Sequence, residues 1–127
     1  MIVVGGGVIG LEMGSVYARL GTEVTVVQHT ERICPFLDAE IGKAFTASLK
    51  KQGIKFLLNT RVVNGVNNKE KGVTINLQNV KTEANFVEEC DIALVSIGRH
   101  AFTGGLQLEK AGLETNDRGV IPTNDHW

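Results

Sequence analysis

The spacing of apolar residues predicts that strands and helices alternate over the first 60 residues. Residues 1–4 form an apolar run that ends in glycine, which is typical of a strand buried on both faces. Gly21 follows a segment whose apolar side chains recur at helical spacing, and it is expected to end that helix. These apolar positions are Ile9, Met13, Val16, Tyr17 and Leu20. Residues 23–27, EVTVV, predict a second strand, so this segment forms a right-handed crossover unit with parallel strands.

A second helix is predicted after Asp38, which is a favourable N-cap residue. Lys50 and Lys51 complement the negative end of its dipole, and Gly53 suits the position just past the helix. Its expected inner face consists of Ile41, Ala44, Phe45, Ser48 and Leu49. Residues 54–58, IKFLL, predict the third strand.

After residue 58 the pattern changes to short segments joined by polar turns, which predicts a three-stranded antiparallel meander. These segments are residues 61–66, 72–80 and 85–90. The apolar run 91–98 is expected to return to the buried parallel sheet. Residues 104–119 predict a short helix and loop, and residues 119–123, GVIPT, a last short strand.

The stretch VVGGGVIGLE places Gly5-x-Gly7-x-x-Gly10 between the first strand and the first helix. This is the spacing of a dinucleotide-binding turn. Gly5 permits the tight turn, Gly7 lets a pyrophosphate approach the backbone, and Gly10 lets the helix pack close to the sheet. The helix N-terminus offers N–H groups to the phosphates. The fold class is therefore α/β: a Rossmann-like parallel sheet with flanking helices and an antiparallel meander. A glycine turn with a merely structural role is the alternative.

The second strand ends in Gln28, where a dinucleotide-binding fold usually has a carboxylate that bonds the adenosine ribose. Gln can bond a ribose hydroxyl but carries no charge, so it repels a 2′-phosphate less than a carboxylate does. His29 and Arg32 lie nearby in sequence, and we interpret both as solvated loop residues. We therefore expect NAD rather than NADP.

Composition excludes several function classes. The chain has 127 residues, with a net charge of −1 and 21% charged residues, and this favours neither nucleic acid nor a membrane surface as partner. No apolar run approaches the length of a membrane span. Cys34 and Cys90 form no metal-ligand spacing, so we expect reduced thiols, no metal site and an intracellular protein.

Four stretches together resemble the pyridine nucleotide–disulfide oxidoreductase family, and in particular the NAD-binding domain of its dihydrolipoamide dehydrogenases. They are VVGGGVIGLEMGSVYARLGTEVTVVQ, LDAEIGKAF, KKQGIKFLLNTRV and ALVSIGRHAFTGGLQLEKAGLE. The resemblance extends over Met1–Trp127. It implies cofactor-binding roles for Gly5, Gly6, Gly7, Val8, Ile9, Gly10, Leu11, Glu12, Gln28, Val62 and Gly98.

The resemblance also implies what some of these residues contact. Glu12 matches a glutamate that reaches toward the nicotinamide, although an exposed glutamate in the first helical turn is also favoured by the helix dipole. Val62 matches a position beside the adenine, and a plain strand residue is the alternative. Gly98 matches a glycine whose backbone comes near the cofactor. Gln28 departs from the family's glutamate.

Features of the complete family chemistry are missing from the sequence. There is no Cys-x-x-x-x-Cys pair, no second glycine fingerprint for FAD and no His–Glu pair, so no catalytic residue is predicted. We therefore expect residues 1–127 to be the excised central NAD(P)-binding domain of a longer flavoenzyme, without its FAD and dimerisation domains. Such a chain binds NAD(H) but does not catalyse the full reaction, and docking surfaces left exposed favour self-association.

For the intact enzyme the resemblance implies electron transfer from dihydrolipoamide through a disulfide and FAD to NAD. It also implies a homodimer, association with 2-oxoacid dehydrogenase complexes, and a location in the mitochondrial matrix or the bacterial cytoplasm. Three alternatives stay open. They are the NAD(P) domain of another disulfide-reductase flavoenzyme, a stand-alone non-catalytic nucleotide-binding module, and an FAD-binding half, against which the meander and Glu12 argue.

Overall fold

A computed structural model describes residues 1–126, which fall into two compact units, Met1–Ile97 and residues 98–126. The first unit holds all the strands of the described chain and two α-helices. The strands are β1 (Ile2–Val4), β2 (Thr25–Val27), β3 (Lys55–Leu57), β4 (Thr60–Asn67), β5 (Val73–Asn79), β6 (Asn85–Cys90) and β7 (Ala93–Val95). The helices are α1 (Val8–Arg19) and α2 (Ala39–Lys51).

The parallel sheet has the strand order β3-β2-β1-β7, and the antiparallel sheet has the order β4-β5-β6. In the parallel sheet Val3 pairs with Val26 on one side and with Leu94 on the other. Ile2, Val3 and Val26 are buried, as expected for strands covered on both faces. The predicted α/β class, with its Rossmann-like sheet and its meander, is confirmed.

Helix α1 packs on the sheet through two glycines and Leu11 rather than through its larger apolar residues. Its buried residues are Gly10, Leu11 and Gly14. The apolar residues whose spacing predicts this helix (Ile9, Met13, Val16, Tyr17 and Leu20) are exposed, although the predicted helix itself is confirmed. A Cβ on Gly14 would lie 3.4 Å from a methyl carbon of Val24, so the helix backbone lies directly against the sheet. Glycines allow this close approach, and the larger side chains are left to point outward.

Helix α2 begins and ends as predicted, but its expected inner face is mostly wrong. Asp38 caps the helix, because its carboxylate accepts hydrogen bonds from the N–H groups of Glu40 at 2.8 Å and Ile41 at 3.4 Å. The buried residues are Gly42 and Leu49. Of the predicted face only Leu49 is buried, while Ile41, Ala44, Phe45 and Ser48 are exposed. Helix α2 therefore packs inward through Leu49, which joins the core cluster, and through Gly42 beside Ile33.

The predicted meander forms the second sheet of the first unit and shares a core with the parallel sheet. Ile75 and Leu77 of β5 are buried with Ile2 and Val27. The pairing of β4 with β5 is irregular between Val62 and Asn64, which is a β-bulge or a similar register shift. This antiparallel sheet therefore covers the face of the parallel sheet opposite Leu11 and α1.

Strand β7 joins the parallel sheet as predicted, but it lies at the edge rather than in the interior. It pairs with β1 alone. Val95 is 67% exposed and Ile97 is 76% exposed. A continuous apolar run predicts burial on both faces, and here the edge position leaves these side chains uncovered.

The second unit contains a 3-10 helix over Leu108–Ala111, in agreement with the predicted short helix and loop. The strand predicted at residues 119–123 does not form. The Gly119 N–H donates to the Asn116 carbonyl at 2.8 Å, and the Asn116 N–H donates to the Val120 carbonyl at 2.9 Å. These bonds make a local turn, and a strand exists only where a neighbouring strand takes up its backbone groups.

Candidate dinucleotide-binding site

The glycine turn lies at the carboxyl ends of the parallel strands, beside the point where the strand order changes direction. The chain proceeds from β1 to β2 and β3 on one side of the sheet, and β7 adds to β1 on the other. Ligands of open α/β sheets bind outside the strand ends at such a switch point. Gly5 directly follows β1 and Ser96 directly follows β7, so both strand ends border the turn.

Gly5 makes the sharp exit from β1. Its φ of +108° lies in the region that side chains disfavour. A Cβ built on it would lie 2.5 Å from the Ser96 carbonyl oxygen. Its N–H donates to the Val27 carbonyl at 2.9 Å, which ties the start of the turn to the end of β2. Gly5 is therefore required by the protein itself, whether or not a ligand binds.

Gly10 is the point of closest approach between α1 and the turn. A Cβ on Gly10 would overlap the Gly5 carbonyl oxygen and would lie 2.5 Å from the Ser96 Oγ. The Ser96 hydroxyl donates to the carbonyls of Val4, at 3.0 Å, and Gly5, at 3.2 Å. Gly10 therefore serves packing, which is the role that the spacing predicts for the third glycine.

Gly7 is different, because nothing in the described part of the chain requires a glycine there. Its φ of −87° and ψ of −177° suit any residue. A Cβ on Gly7 would meet no atom of residues 1–126 within 4 Å, counted beyond its chain neighbours. Open space beside this backbone is what a phosphate group would occupy, so the turn fits a pyrophosphate.

The N-terminus of α1 faces that open space without a capping side chain. Gly7 is the N-cap, and its carbonyl accepts the first helical bond from the Leu11 N–H at 3.0 Å. The first N–H groups of a helix have no partner within it and carry a partial positive charge. The N–H groups of Val8 and Ile9 can therefore bind an anion without a basic side chain.

Gln28 lies directly beneath the turn and is bonded to it. Its side chain is buried, with 6% of the residue exposed. Its Oε1 accepts a hydrogen bond from the Gly6 N–H at 2.8 Å, and its Nε2 donates to the Thr30 Oγ1 at 2.7 Å. The amide expected to bind a ribose is thus engaged within the protein, with one lone pair and one N–H left over.

The other predicted positions are spread around the turn. Val8 and Ile9 are exposed at the start of α1, whereas the side chain of Leu11 is in the core. Glu12 is exposed, but it is the fifth residue of α1 and not in its first turn, so the first-turn alternative for this residue is wrong. Val62 lies on β4 and packs partly buried against the core shared by the two sheets.

The structure also places Gly98, which begins the second unit. Its φ is +140°, a value that favours glycine. A Cβ on Gly98 would meet nothing within 4 Å in the part of the chain that the structure describes. Its expected approach to a cofactor stays a prediction.

Sequence reasoning missed three residues that shape the turn. Ser96 holds the Gly5 carbonyl, Thr30 accepts from Gln28, and the Cys34 N–H donates to the Gly6 carbonyl at 2.9 Å. Ser96 carries a signal, since it follows a strand whose carboxyl end borders the switch point. Thr30 and Cys34 carry none, because they lie in an irregular loop whose path depends on tertiary contacts.

Cys34 is held as a neutral thiol in this loop. Burial raises the pKa of its side chain. A thiolate is the reactive form of cysteine, so this environment suppresses nucleophilic chemistry. Over residues 1–126 no group of three or more His, Cys, Asp and Glu side chains is placed to hold a metal ion, and no helix in that range is long and apolar enough to cross a membrane.

The pyridine nucleotide-disulphide oxidoreductase family model matches residues 1–127 of the chain. The chain belongs to this family. The resemblance inferred from the motifs is thereby confirmed. Residues 1–127 are 47% identical to the mitochondrial dihydrolipoyl dehydrogenase of Pisum sativum, over 100% of this chain and 25% of that protein.

Two further comparisons agree with this membership. Dihydrolipoyl dehydrogenase 3 of Pseudomonas aeruginosa is 46% identical over 95% of this chain and 26% of its own length. The water-forming NADH oxidase of Lactobacillus brevis, solved with NADH bound, superposes with a TM-score of 0.73 at 25% identity, over 98% of this chain and 26% of that one. The chain thus spans about a quarter of the length of these relatives.

Proposed function

We propose that this chain binds NAD(H) as the pyridine-nucleotide domain, residues 1–127, of a dihydrolipoyl dehydrogenase. The observation that carries the proposal is the open space beside Gly7 at the uncapped N-terminus of α1. Gly5 and Gly10 are explained by contacts within the protein, whereas a glycine at position 7 is explained by a ligand that must approach the backbone. The family membership and the identity to dihydrolipoyl dehydrogenases support the wider assignment.

In this proposal the pyrophosphate accepts hydrogen bonds from the backbone N–H groups at the start of α1. The partial positive charge at the N-terminus of α1 stabilises the negative charge of the pyrophosphate, which explains why no lysine is needed in the turn. Glu12 lies on an exposed part of α1 and is proposed to face the nicotinamide end. Val62 is proposed to lie beside the adenine, and the backbone of Gly98 is proposed to come near the cofactor, as the family resemblance implies.

When bound, NAD(H) supplies the hydride-accepting or hydride-donating ring, and the protein supplies binding and orientation. The residues of this chain therefore bind and orient the cofactor. The complete enzyme is proposed to pass electrons from dihydrolipoamide through a disulfide and FAD to NAD, as a homodimer that serves 2-oxoacid dehydrogenase complexes. Its location is proposed to be the mitochondrial matrix in a eukaryote or the cytoplasm in a bacterium.

The experiment is a calorimetric titration of the folded 127-residue chain with NADH, NADPH and FAD in turn. We expect saturable binding of NADH and weaker binding of NADPH and FAD. Preferential binding of FAD would replace the proposal by the FAD-binding alternative. Equal binding of NADH and NADPH would favour another disulfide-reductase flavoenzyme.

A folded chain that binds none of the three ligands would contradict the proposal. Cooperative thermal unfolding, followed by circular dichroism, establishes that the sample is folded before the titration. A variant that perturbs the turn is Gly10→Ala, in which a Cβ overlaps the Gly5 carbonyl. Where this variant remains folded, its distorted turn is expected to bind NADH more weakly than the unchanged chain does.

A further inference from the structure

We propose that Gln28 is a positioning residue, which fixes the Gly6 peptide so that the following N–H groups face the pyrophosphate, and that it does not read the ribose. This inference rests on the proposed function. Gln28 then stabilises the glycine turn from within the protein, whereas its place at the end of the second strand suggests contact with the ribose.

Gly6 is bonded through both of its backbone polar groups, which belong to the peptides before and after it. Its N–H donates to the Gln28 Oε1 at 2.8 Å, and its carbonyl accepts from the Cys34 N–H at 2.9 Å. Gly6 and Gln28 are both buried, so water does not replace a bond that is lost. The peptide preceding the open Gly7 backbone is therefore fixed by the loop that follows β2.

The hydrogen bonds from Gly6 run in one direction through this loop. The Gly6 N–H can only donate, so the Gln28 oxygen faces it and the Gln28 Nε2 faces the Thr30 Oγ1. The Thr30 hydroxyl in turn donates to the Arg32 carbonyl at 2.8 Å. This series, from Gly6 through Gln28 and Thr30 to Arg32, orients the amide without any ligand.

The loop adopts an unfavourable backbone conformation to reach Gly6. Cys34 has a φ of +41°, in the left-handed region that residues with a side chain rarely adopt. Its N–H makes the bond to Gly6, and its neighbour Ile33 has a methyl carbon 3.1 Å from where a Gly6 Cβ would lie. Such strain persists where surrounding contacts enforce it. Here those contacts converge on Gly6.

Ribose reading and positioning predict different effects of the same substitutions. If Gln28 binds the ribose, its substitution weakens the binding only of cofactors that carry the hydroxyl it contacts. If Gln28 orients the backbone that binds the pyrophosphate, its substitution weakens the binding of every dinucleotide by the same factor. The test uses the 127-residue chain, its variants Gln28→Leu, Gln28→Glu and Thr30→Val, and two ligands: NADH and an NADH analogue that lacks the adenosine 2′-hydroxyl.

For Gln28→Leu we expect the Kd of both ligands to rise by the same factor, about fivefold, with their ratio unchanged. Gln28→Glu keeps an oxygen acceptor for the Gly6 N–H, and we expect it to bind both ligands better than Gln28→Leu does. Thr30→Val removes a group that orients the amide, and we expect a smaller, equal loss for both. A loss confined to NADH would overturn the proposal.

Amide hydrogen exchange at Gly6, measured by NMR without ligand, keeps this test separate from the proposed function. We expect exchange to become about tenfold faster in Gln28→Leu and to stay near the original rate in Gln28→Glu. If the chain fails to bind NADH, the proposed function fails while the exchange data still test the Gly6–Gln28 contact. Unchanged Gly6 exchange in Gln28→Leu would contradict the proposal. If Gln28→Leu does not fold, Thr30→Val gives the same readout.

Discussion

Gly7→Ala separates binding from folding in the glycine turn. The φ and ψ of Gly7 are accessible to alanine, and a Cβ there meets no described atom within 4 Å beyond its chain neighbours. Alanine lowers the entropy of the unfolded chain, which stabilises by about 0.4–1 kcal/mol. It is also a poorer N-cap than glycine, which costs a similar amount. We therefore expect the free energy of unfolding to change by less than about 1 kcal/mol.

The expected effect of Gly7→Ala on binding is much larger. A phosphate oxygen bonded to the N–H groups of Val8 and Ile9 would lie about 2.9 Å from each nitrogen. The new methyl group projects into the space that the phosphate needs, and a shift of about 1 Å would lengthen both bonds beyond hydrogen-bonding distance. Two charge-assisted bonds are worth on the order of 3 kcal/mol, so we expect NADH affinity to fall at least about a hundredfold.

The assay is calorimetry with NADH, together with thermal unfolding of each variant. Gly42→Ala is the matched control, because it is the same substitution inside α2, where a Cβ would lie 3.8 Å from the Ile33 carbonyl oxygen in ordinary contact. It should stabilise the chain by about 1 kcal/mol and leave the NADH affinity unchanged. If the folded Gly7→Ala variant bound NADH within about twofold of the original chain, the pyrophosphate would not approach Gly7 and the reasoning would be refuted.

Three further predictions concern stability. Gly10→Ala, whose Cβ overlaps the Gly5 carbonyl, should lower the free energy of unfolding by about 3 kcal/mol, measured by urea denaturation, and an unchanged midpoint would contradict the packing role. Asp38→Ala should cost about 1 kcal/mol through loss of the α2 cap, with NADH affinity unchanged; a loss of affinity would show that the cap supports the site. Burial raises the pKa of Cys34, so the folded state retains its thiol proton longer than the unfolded chain. The free energy of unfolding should therefore fall as pH rises above about 9, and Cys34→Ala should lose that pH dependence. If the variant kept the same pH dependence, a group other than Cys34 would cause it.

The sequence predicted the order of elements in the first unit because local signals and tertiary pairing agree there. Short apolar runs became β1, β2 and β3, and Asp38 capped α2. The spacing of large apolar residues predicted the helix α1, but it did not indicate which face packs on the sheet. In α1 the surface against the sheet is made by Gly10 and Gly14, whose small size allows close contact.

Within the candidate site, backbone roles were predictable and side-chain connections were not. The spacing of Gly5, Gly7 and Gly10 predicted which glycine turns and which one packs, because those roles follow from main-chain geometry. The bond from Gly6 to Gln28 depends on the path of an irregular loop with a left-handed Cys34, and no sequence pattern encodes that path. The strand expected at residues 119–123 failed for a related reason, since pairing depends on a neighbour.

The most direct test of the central claim is an NMR titration of the isotopically labelled 127-residue chain with NADH, following the backbone amides of the turn. We expect saturable shifts of the Gly7, Val8 and Ile9 amides, with a Kd equal to the one measured by calorimetry. We expect little change in the meander residues around Ile75. Saturable binding that leaves these three amides unchanged, or no binding by the folded chain, would contradict it.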